Sequence, residues 1–390
     1  MLLYSIGCLN ADVFFFCLYS NLHRCRGFAL EQMNLLDDVT FKRMFRVDRV
    51  VFDILKSRIH PHFQNINISR AMNSSGSPIS IITRLGVTLR WLAGGSYLDL
   101  CFAWGISSST FYHENGVLWP TIQALDQAFP MGFPFGDESR LEELADGFRV
   151  HSGGILDGCV MAIDGFGVAT RAPYKSEVDG AKNYRFRKSG FAIVVLGGVD
   201  VKGKFLCGSC DHSGSTNDII AWQDSNLYDA LEIQRLLPER FFFIGDEAFT
   251  CTHQFLSPWP GRGLDTAKDA FNYWLSHSRQ AVERAWGMVT QRWGIFWRIF
   301  RFALDRWPLV VMVCMKLHNI CLDNLVEVPS QRFLEDVREG DEWNVQDNER
   351  PNDVELRGRA SGDRRRQITA TIESQGIIRP LHASMNSRAC

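Results

Sequence analysis

The chain has 390 residues, enough for about two or three domains, and 46% of them are hydrophobic, so a large core can be buried. A net charge of −2 excludes a protein that is drawn to nucleic acid by its overall field, so any site for a polyanion must be a local patch. The 11 cysteines are scattered, a pattern that fits reduced thiols in the cytosol or nucleus better than a disulfide framework.

The first 30 residues are predicted to be a poorly specified leader. Their apolar run at residues 13–19 is not preceded by a basic segment. It is also far shorter than the roughly 20 residues of a membrane span. Neither a signal peptide nor a membrane partner is therefore predicted.

Residues 31–130 are predicted to be helical. An amphipathic stretch between positions 41 and 55 ends at His60-Pro61, and the letters NSSGSP at residues 73–78 indicate a linker. Two further helices, over about residues 81–93 and 97–104, end at glycines.

A serine-capped helix is predicted next, from residue 107 or 108 to about residue 123. A helix, a glycine turn and a serine-capped helix are the layout of a helix-turn-helix, whose second helix can enter a major groove. An ordinary helical hairpin is the alternative. Residues 107–123 contain no Lys or Arg, which weakens the case for DNA contact.

An α/β domain is predicted over residues 151–326, after a connector at residues 131–150 that is rich in Gly, Pro and acids. Short apolar runs predict four strands, and residues 200–203 predict a hairpin turn. The strands are expected at residues 159–163, 191–199, 204–207 and 241–244. The letters STND at residues 215–218 resemble a capping box, which predicts a helix to about residue 237, and the last helix is expected over about residues 308–325.

Residues 327–390 are predicted to be a polar, largely disordered tail. It is acidic between residues 335 and 355 and then turns basic, with an arginine cluster at residues 364–366. The cluster could be a nuclear-import or nucleic-acid patch, and a solvated tail is the alternative.

One helix, predicted over residues 276–293, presents two distinct faces. Arg279, Glu283 and Gly287 follow at i, i+4 and i+8 on one face. An arginine and a glycine beside a carboxylate fit the approach of a phosphate chain. The alternative is a surface Arg279–Glu283 pair worth about 0.2–0.5 kcal/mol. The neighbouring apolar face is predicted to pack in the core and contains Val282, Trp286, Val289 and Trp293.

Three carboxylates are candidates for catalysis. Asp164 and Asp246 each follow an apolar strand beside a glycine, which predicts that both lie at the C-terminal edge of a sheet, and Glu283 lies on the helix that packs against it. Clustered acids repel unless a cation neutralises them, and hard oxygen ligands favour Mg²⁺ or Mn²⁺. Two such ions, about 3.5–4 Å apart, can activate a water or 3′-hydroxyl and stabilise the leaving oxygen of a phosphodiester.

The order of these features, acid–hairpin–helix–acid–helix–acid, is that of a ribonuclease-H-like nuclease. Basic residues near the acids fit a DNA backbone that is guided onto metal ions, and ordinary solvated surface is the alternative. They are Arg171, Lys175, Lys182, Arg185, Arg187, Lys188, Arg279, Arg284, Arg292, Arg298, Arg301 and Arg306.

Short motifs occur together and in order between residues 162 and 319. They are AIDG at 162–165, NYRFRK at 183–188, GSTND at 214–218, IGDEAF at 244–249, FN at 271–272, SRQAVERAWG at 278–287 and LHN at 317–319. Together they resemble the PIF/Harbinger DDE transposases and the nucleases derived from them, over about residues 40–325. The sequence departs from the pattern of this family at two places. Residues 247–249 read EAF where the family more often has Ser-Gly-Tyr, and Asn217 stands where the family often has histidine. Neither removes a metal ligand.

The resemblance implies a ribonuclease-H-like catalytic domain that cleaves, and can transfer, DNA strands. It implies that Asp164, Asp246 and Glu283 are the catalytic, metal-binding acids, with Asp164 bridging two Mg²⁺ (or Mn²⁺) ions and each of the others holding one. Asp218 is a recurrent fourth acid of less defined role, and His318 belongs to a closing helix in which packing is its expected role.

Partners and location follow from the same resemblance. It implies DNA, as transposon ends and target, and a Myb-like DNA-binding protein that brings the nuclease to its ends and into the nucleus, with a cytoplasmic pool. Whether the chain forms a homo-oligomer stays an open question.

Other functions remain as alternatives. A domesticated transposase would bind DNA or a partner without transposition. A glycosidase would need two carboxylates about 5–9.5 Å apart and no metal, and the third acid and the arginines argue against it. Cys207 and Cys210 form the CxxC motif of the chain, with His212 and His253 as conceivable companions for zinc, but a strand-end turn is the expected structure.

Overall fold

The computed structural model describes residues 26–64, 78–186, 190–328 and 363–380. The leader up to residue 25, most of the predicted linker, Arg187, Lys188 and the acidic part of the tail lie outside these residues. The chain divides into two compact units. One comprises Met1–Pro130, Arg292–Arg298 and Ile320–Ser330, and the other comprises Met131–Gln291, Ile299–Asn319 and Gln331–Cys390.

The first unit is helical over its described residues up to Pro130. Aspartate or serine side chains cap four of these helices by accepting a hydrogen bond from a backbone N–H of the first turn. The helices are α1 (Arg26–Leu35), α2 (Asp38–Phe45), α3 (Arg49–Ile59), α4 (Ile81–Leu92), α5 (Tyr97–Ala103), α6 (Ser108–Tyr112) and α7 (Leu118–Ala128), and a 3₁₀ turn covers His60–Phe63.

The prediction of a single helix from residue 107 to about residue 123 is wrong. Ser107 caps α6 by accepting from Thr110 N–H at 3.1 Å, but α6 ends at Tyr112. The chain then turns back, and Val117 N–H donates to the Thr110 carbonyl. A Cβ at Gly116 would lie 1.9 Å from that carbonyl oxygen, so the turn depends on glycine. Because α6 is only five residues long, the helix-turn-helix stays a prediction.

A five-stranded mixed sheet forms the centre of the second unit. Its strands are β1 (Cys159–Thr170), β2 (Phe191–Val199), β3 (Phe205–Ser213), β4 (Phe242–Ile244) and β5 (Phe255–Leu256), in the order β3-β2-β1-β4-β5. β1, β2 and β3 pair antiparallel, whereas β4 pairs parallel with both β1 and β5. With helices beside it, this mixed sheet is consistent with a ribonuclease-H-like domain.

The remaining helices follow the sheet elements along the chain. They are α8 (Glu138–His151), α9 (Asp218–Gln223), α10 (Asn226–Tyr228), α11 (Thr266–Arg292), α12 (Trp307–Asp323) and α13 (Asp363–Ser374), with short turns at Ala181–Tyr184, Asp229–Ile233, Gly294–Trp297 and Leu304–Arg306. None of the described helices has both the length and the apolar character that crossing a membrane would require.

Helix α8 lies in the stretch predicted to be a connector. Asp137 caps it by accepting from Arg140 N–H at 3.1 Å. Leu141, Leu144 and Phe148 are buried, and the first two belong to the core cluster that also contains residues of β1. Its apolar residues therefore pack against the sheet. In the sequence, the acids and glycines around them make this apolar periodicity hard to recognise.

The helix predicted over residues 215–237 is interrupted. Helix α9 begins three residues later than expected, at Asp218, and ends at Gln223. The Ser225 hydroxyl donates to the Trp222 carbonyl and accepts from Tyr228 N–H, which ends one helix and caps the next. This local competition for hydrogen bonds explains the break.

Residues 363–380 are an ordered part of a tail that was predicted to be largely disordered. Arg365 donates to the carbonyls of Ser257 and Pro258, and its guanidinium lies 4.0 Å from the Trp259 ring centroid. Arg364 donates to the Arg240 carbonyl at 2.8 Å. Two arginines of the predicted basic patch thus form hydrogen bonds to backbone carbonyls within the second unit.

Candidate active site

Asp164 lies on β1, and Asp246 lies just after β4, the parallel neighbour of β1. Ala162 of β1 is in register with Ile244 of β4, and each aspartate follows two residues later. The parallel pairing ends there, as predicted. On its other side, however, β1 continues to Thr170 opposite β2, so Asp164 lies within a strand and pairs with Gly197. The prediction that the first strand ends at Asp164 is therefore wrong on that side.

Glu283 is positioned by the helix that carries it. Helix α11 begins ten residues earlier than predicted, and Val282, Trp286 and Val289 are buried as the periodicity indicates. A Cβ at Gly197 would lie 2.5 Å from Trp286 Cζ2, so the indole packs directly on the backbone of β2. Because Gly197 is the partner of Asp164, this contact places Glu283, three residues before Trp286, near the aspartates.

Asp218 is the fourth acid at this place. A Cβ built on Gly165 would lie 2.3 Å from Asp218 Oδ1, so the carboxylate occupies the space left by the missing side chain next to Asp164. Asn217 occupies the N-cap position of helix α9 without a side-chain capping hydrogen bond, so Asp218 is the first residue of that helix. The sequence identified Asp218 only as an acid of undefined role, and this contact could not be read from a spacing of 54 residues.

The acids act on one another electrostatically. The pKa of Asp164 is raised to about 7, mainly by burial. Arg279 opposes this rise, whereas the negative charges of Asp246, Asp218 and Glu283 contribute to it. All four carboxyl groups thus lie within interaction range, contributed by β1, the loop after β4 and two helices. Clustered acids that raise the pKa of a partly buried member are typical of a site that receives a cation.

Arg279 joins two of the acids. Its Nη1 lies 3.4 Å from Asp164 Oδ2, and its Nη2 lies 2.5 Å from Glu283 Oε1. The i, i+4 spacing indicated the pair with Glu283. The contact with Asp164, across 115 residues of sequence, was not predicted.

The acids match the chemistry of a divalent ion in kind. Carboxylate oxygens are hard ligands of the sort that Mg²⁺ and Mn²⁺ prefer, and the buried Asp164 gains from a nearby positive charge. Within the described ranges, no set of three or more His, Cys, Asp or Glu side chains is arranged to hold a metal in the present conformation. Arg279 supplies positive charge to Asp164 and Glu283 instead.

The CxxC cysteines occupy a strand and not a strand-end turn. Cys207 and Cys210 both belong to β3, and burial raises the pKa of each thiol, to about 12 for Cys207. A buried protonated thiol is a poor metal ligand. The zinc alternative therefore has no support at these residues.

Several motif residues maintain the fold. The Asn319 side chain accepts a hydrogen bond from Phe205 N–H and donates one to the Phe205 carbonyl. His318 is buried, with Nε2 3.0 Å from the Gly203 carbonyl oxygen, which fits the packing role expected for it. In the same way, Asn272 makes two hydrogen bonds to the backbone of Trp259. These motifs fix loops around the sheet.

The basic residues near the acids divide into two groups. Arg171 forms an ion pair with Glu177, and Arg292 is buried and donates to the carbonyls of Arg46 and Val326. Both are used inside the fold, a role that is neither the predicted DNA contact nor the alternative of solvated surface. Others are exposed: Lys175, Lys182, Arg185, Arg284, Arg298 and Arg301.

Comparisons with known proteins agree with this arrangement. A family model described as DDE superfamily endonuclease matches residues 163–319. The protein ALP1-like of Arabidopsis thaliana is 26% identical over 310 residues, which cover 74% of this chain and 71% of that protein. The Arabidopsis thaliana protein named antagonist of like heterochromatin protein 1 is 23% identical over 74% of each chain.

A third relative comes from an animal. HARBI1 of Mus musculus, which is named as a nuclease, is 23% identical over 49% of this chain and 53% of its own length. No solved structure matches the chain. Residues 163–319 are thus similar to the DDE superfamily endonucleases, and the predicted resemblance to the Harbinger-derived nucleases is confirmed.

Proposed function

We propose that this chain is a metal-dependent DNA endonuclease or transposase of the DDE type. The observation that supports this most is the convergence of Asp246, Asp218 and Glu283 around the partly buried carboxyl group of Asp164. They lie in the region that matches the endonuclease family. A glycosidase needs only a pair of carboxylates, and neither the further acids nor the arginine between them has a role in that chemistry.

Each residue of the site has a distinct role in this proposal. Asp164, Asp246 and Glu283 would hold two divalent ions, with Asp164 shared between them. Bound ions would activate a water or 3′-hydroxyl and stabilise the leaving oxygen. Asp218 lies against Gly165 and adds negative charge beside Asp164. Exposed basic side chains, such as Lys182 and Arg185, would bind the phosphates of the strand.

A plasmid-nicking assay tests this function. Purified protein with Mg²⁺ should convert a supercoiled plasmid that carries candidate terminal repeats into nicked or linear product. EDTA should abolish the reaction, and excess Mg²⁺ should restore it. Cleavage that persists in EDTA would contradict metal dependence. Plasmid that stays supercoiled under all conditions would favour the second candidate.

The second candidate is a domesticated transposase that binds chromatin or a partner without cutting DNA. One relative is named for antagonism of a like heterochromatin protein, which is the observation in its favour. The four clustered acids argue against a loss of chemistry, since a pure binding protein gains nothing from a repulsive buried carboxylate cluster.

Gly287 provides a test of how DNA approaches helix α11. Apart from the backbone of the helix itself, no atom of the described residues lies within 4 Å of a Cβ built at this position, so the helix leaves open space one turn beyond Glu283. Gly287→Leu should raise helix propensity by roughly 0.8–1 kcal/mol and leave the melting temperature unchanged or higher. Cleavage should nevertheless fall, because the side chain enters the path of the strand.

Gly287→Ala is the matched control for this prediction. It gives a similar gain in propensity with only one added carbon, and it should retain most of the cleavage rate. If the leucine variant cleaves as fast as the parent protein, DNA does not approach this face.

DNA recognition is proposed to require a Myb-like partner protein, which would also bring the chain into the nucleus. The net charge is −2, and residues 107–123 contain no Lys or Arg. Few phosphate contacts give low affinity and a shallow salt dependence. The chain alone should therefore bind terminal-repeat duplexes weakly and with little sequence preference at about 0.15 M salt.

Electrophoretic shifts with matched and scrambled duplexes measure this expectation, and co-expression with the partner should raise both selectivity and nuclear accumulation. Tight, sequence-selective binding by the chain alone would contradict the prediction. It would make the helical region at residues 31–130 the main DNA reader.

A further inference from the structure

The side chain of Arg279 lies between two of the proposed catalytic acids. Its Nη1 and Nη2 approach Asp164 Oδ2 at 3.4 Å and Glu283 Oε1 at 2.5 Å. The Glu283 side chain is 47% exposed. The side chains of Arg279 and Asp164 are only 18% and 19% exposed, so the contact between these two is largely shielded from water. Such shielding strengthens the attraction between opposite charges.

The guanidinium uses the same oxygen atoms that the proposed function assigns to metal ions. A guanidinium has a fixed positive charge and a planar set of donors that can join two carboxylates. A carboxylate oxygen that accepts a short charge-assisted hydrogen bond has less electron density and less room for a cation. Arginine and a divalent ion therefore compete at Asp164 and Glu283.

The backbone around Arg279 is held independently of this contact. Helix α11 is anchored by the buried side chains of Val282, Trp286 and Val289, and Trp286 packs on Gly197. Arg279 can consequently leave the acids by rotation of its own side chain, while Glu283 keeps its place on the helix. The contact can open without local unfolding.

We propose that Arg279 is a built-in cation that neutralises Asp164 and Glu283 in the metal-free protein and that divalent ions bind as its guanidinium leaves them. The proposal rests on the proposed function and adds a gate at the same site. Arg279 acts through the acids and is therefore a positioning residue. It keeps them close when no metal is bound, and it lowers the affinity of the site for divalent ions.

Mn²⁺ titration without DNA tests the gate, with free Mn²⁺ followed by electron paramagnetic resonance. Arg279→Met keeps the length of the side chain and removes its charge. It should bind Mn²⁺ about tenfold more tightly than the parent, the scale of one charge-assisted hydrogen bond. Its metal-free melting temperature should fall, and Mn²⁺ should raise that temperature more than in the parent.

Two further variants separate the gate from general charge effects. Arg284→Met removes the same charge from an exposed residue of the same helix, and it should leave Mn²⁺ affinity nearly unchanged. Arg279→Lys keeps the charge but cannot join both acids in one planar group, so its affinity should lie between those of the parent and Arg279→Met. If Arg279→Met does not fold, the lysine variant gives the result.

The outcomes distinguish this inference from the function on which it rests. Equal or weaker Mn²⁺ binding after replacement of Arg279, with a parent that binds Mn²⁺, would overturn the gate and leave the nuclease proposal intact. An equal gain in Arg284→Met would also overturn the gate. Absence of Mn²⁺ binding in the parent and in every variant would overturn both.

Discussion

Asp164→Asn is expected to reduce Mg²⁺-dependent cleavage by about 10³-fold or more, the scale of losing one member of a cooperating catalytic set. Asp164 is partly buried on β1, and Asp246, Asp218 and Glu283 all act on its carboxyl group. Asparagine has nearly the same shape but lacks the charge that a bridging ligand needs. The fold should persist, because the substitution also removes a repulsive buried charge.

Asp246→Asn and Glu283→Gln should cause losses of similar size, and the double variants should lose little more, because these residues act as a unit. Asp224→Asn is a matched control, since Asp224 is an exposed acid of the same domain. It should cleave at the parent rate. Single-turnover cleavage of a labelled terminal-repeat duplex provides the rates. Full activity in any one variant would remove that residue from the catalytic set.

Gly197→Val is expected to lower the free energy of unfolding by about 1–3 kcal/mol, the usual cost of overpacking a core. A Cβ at this position would lie 2.5 Å from Trp286 Cζ2 and 2.9 Å from Phe205 Cε1. Both rings are buried and cannot move freely, so helix α11 has to shift away from β2. Such a shift displaces Glu283 from Asp164.

Cleavage by Gly197→Val should therefore fall by more than the loss of folded protein explains. Chemical denaturation gives the stability, and cleavage at a temperature where the variant is folded gives the activity. Gly132→Val is the control, because no atom lies within 4 Å of a Cβ there. Unchanged stability in Gly197→Val would mean that Trp286 does not pack on this strand.

The positions of the proposed catalytic acids were predictable because their signals are local. An apolar run before Asp246 and helical periodicity around Glu283 each need only a few neighbouring residues, and both are confirmed as a strand and a helix. The extension of β1 beyond Asp164 was not predictable in this way. It depends on the antiparallel pairing with β2, whose residues are about 30 positions away.

The features of the site that the sequence did not predict depend on contacts between residues that are far apart along the chain. Arg279 meets Asp164 across 115 residues, and Asp218 meets Gly165, and neither contact has a sequence period. The prediction of one helix over residues 107–123 was wrong because of a local feature, the backbone turn at Gly116, which interrupts the helix. The sequence alone does not distinguish this glycine from one in an ordinary loop.

The metal site itself can be observed directly by anomalous diffraction from crystals of the protein with a terminal-repeat duplex and Mn²⁺. Two Mn²⁺ peaks should lie about 3.5–4 Å apart, both in contact with Asp164, one with Asp246 and the other with Glu283. Arg279 should have left the two acids in that complex. Crystals in which DNA reaches the acids while Mn²⁺ binds elsewhere, or not at all, would contradict a metal-dependent nuclease at this site.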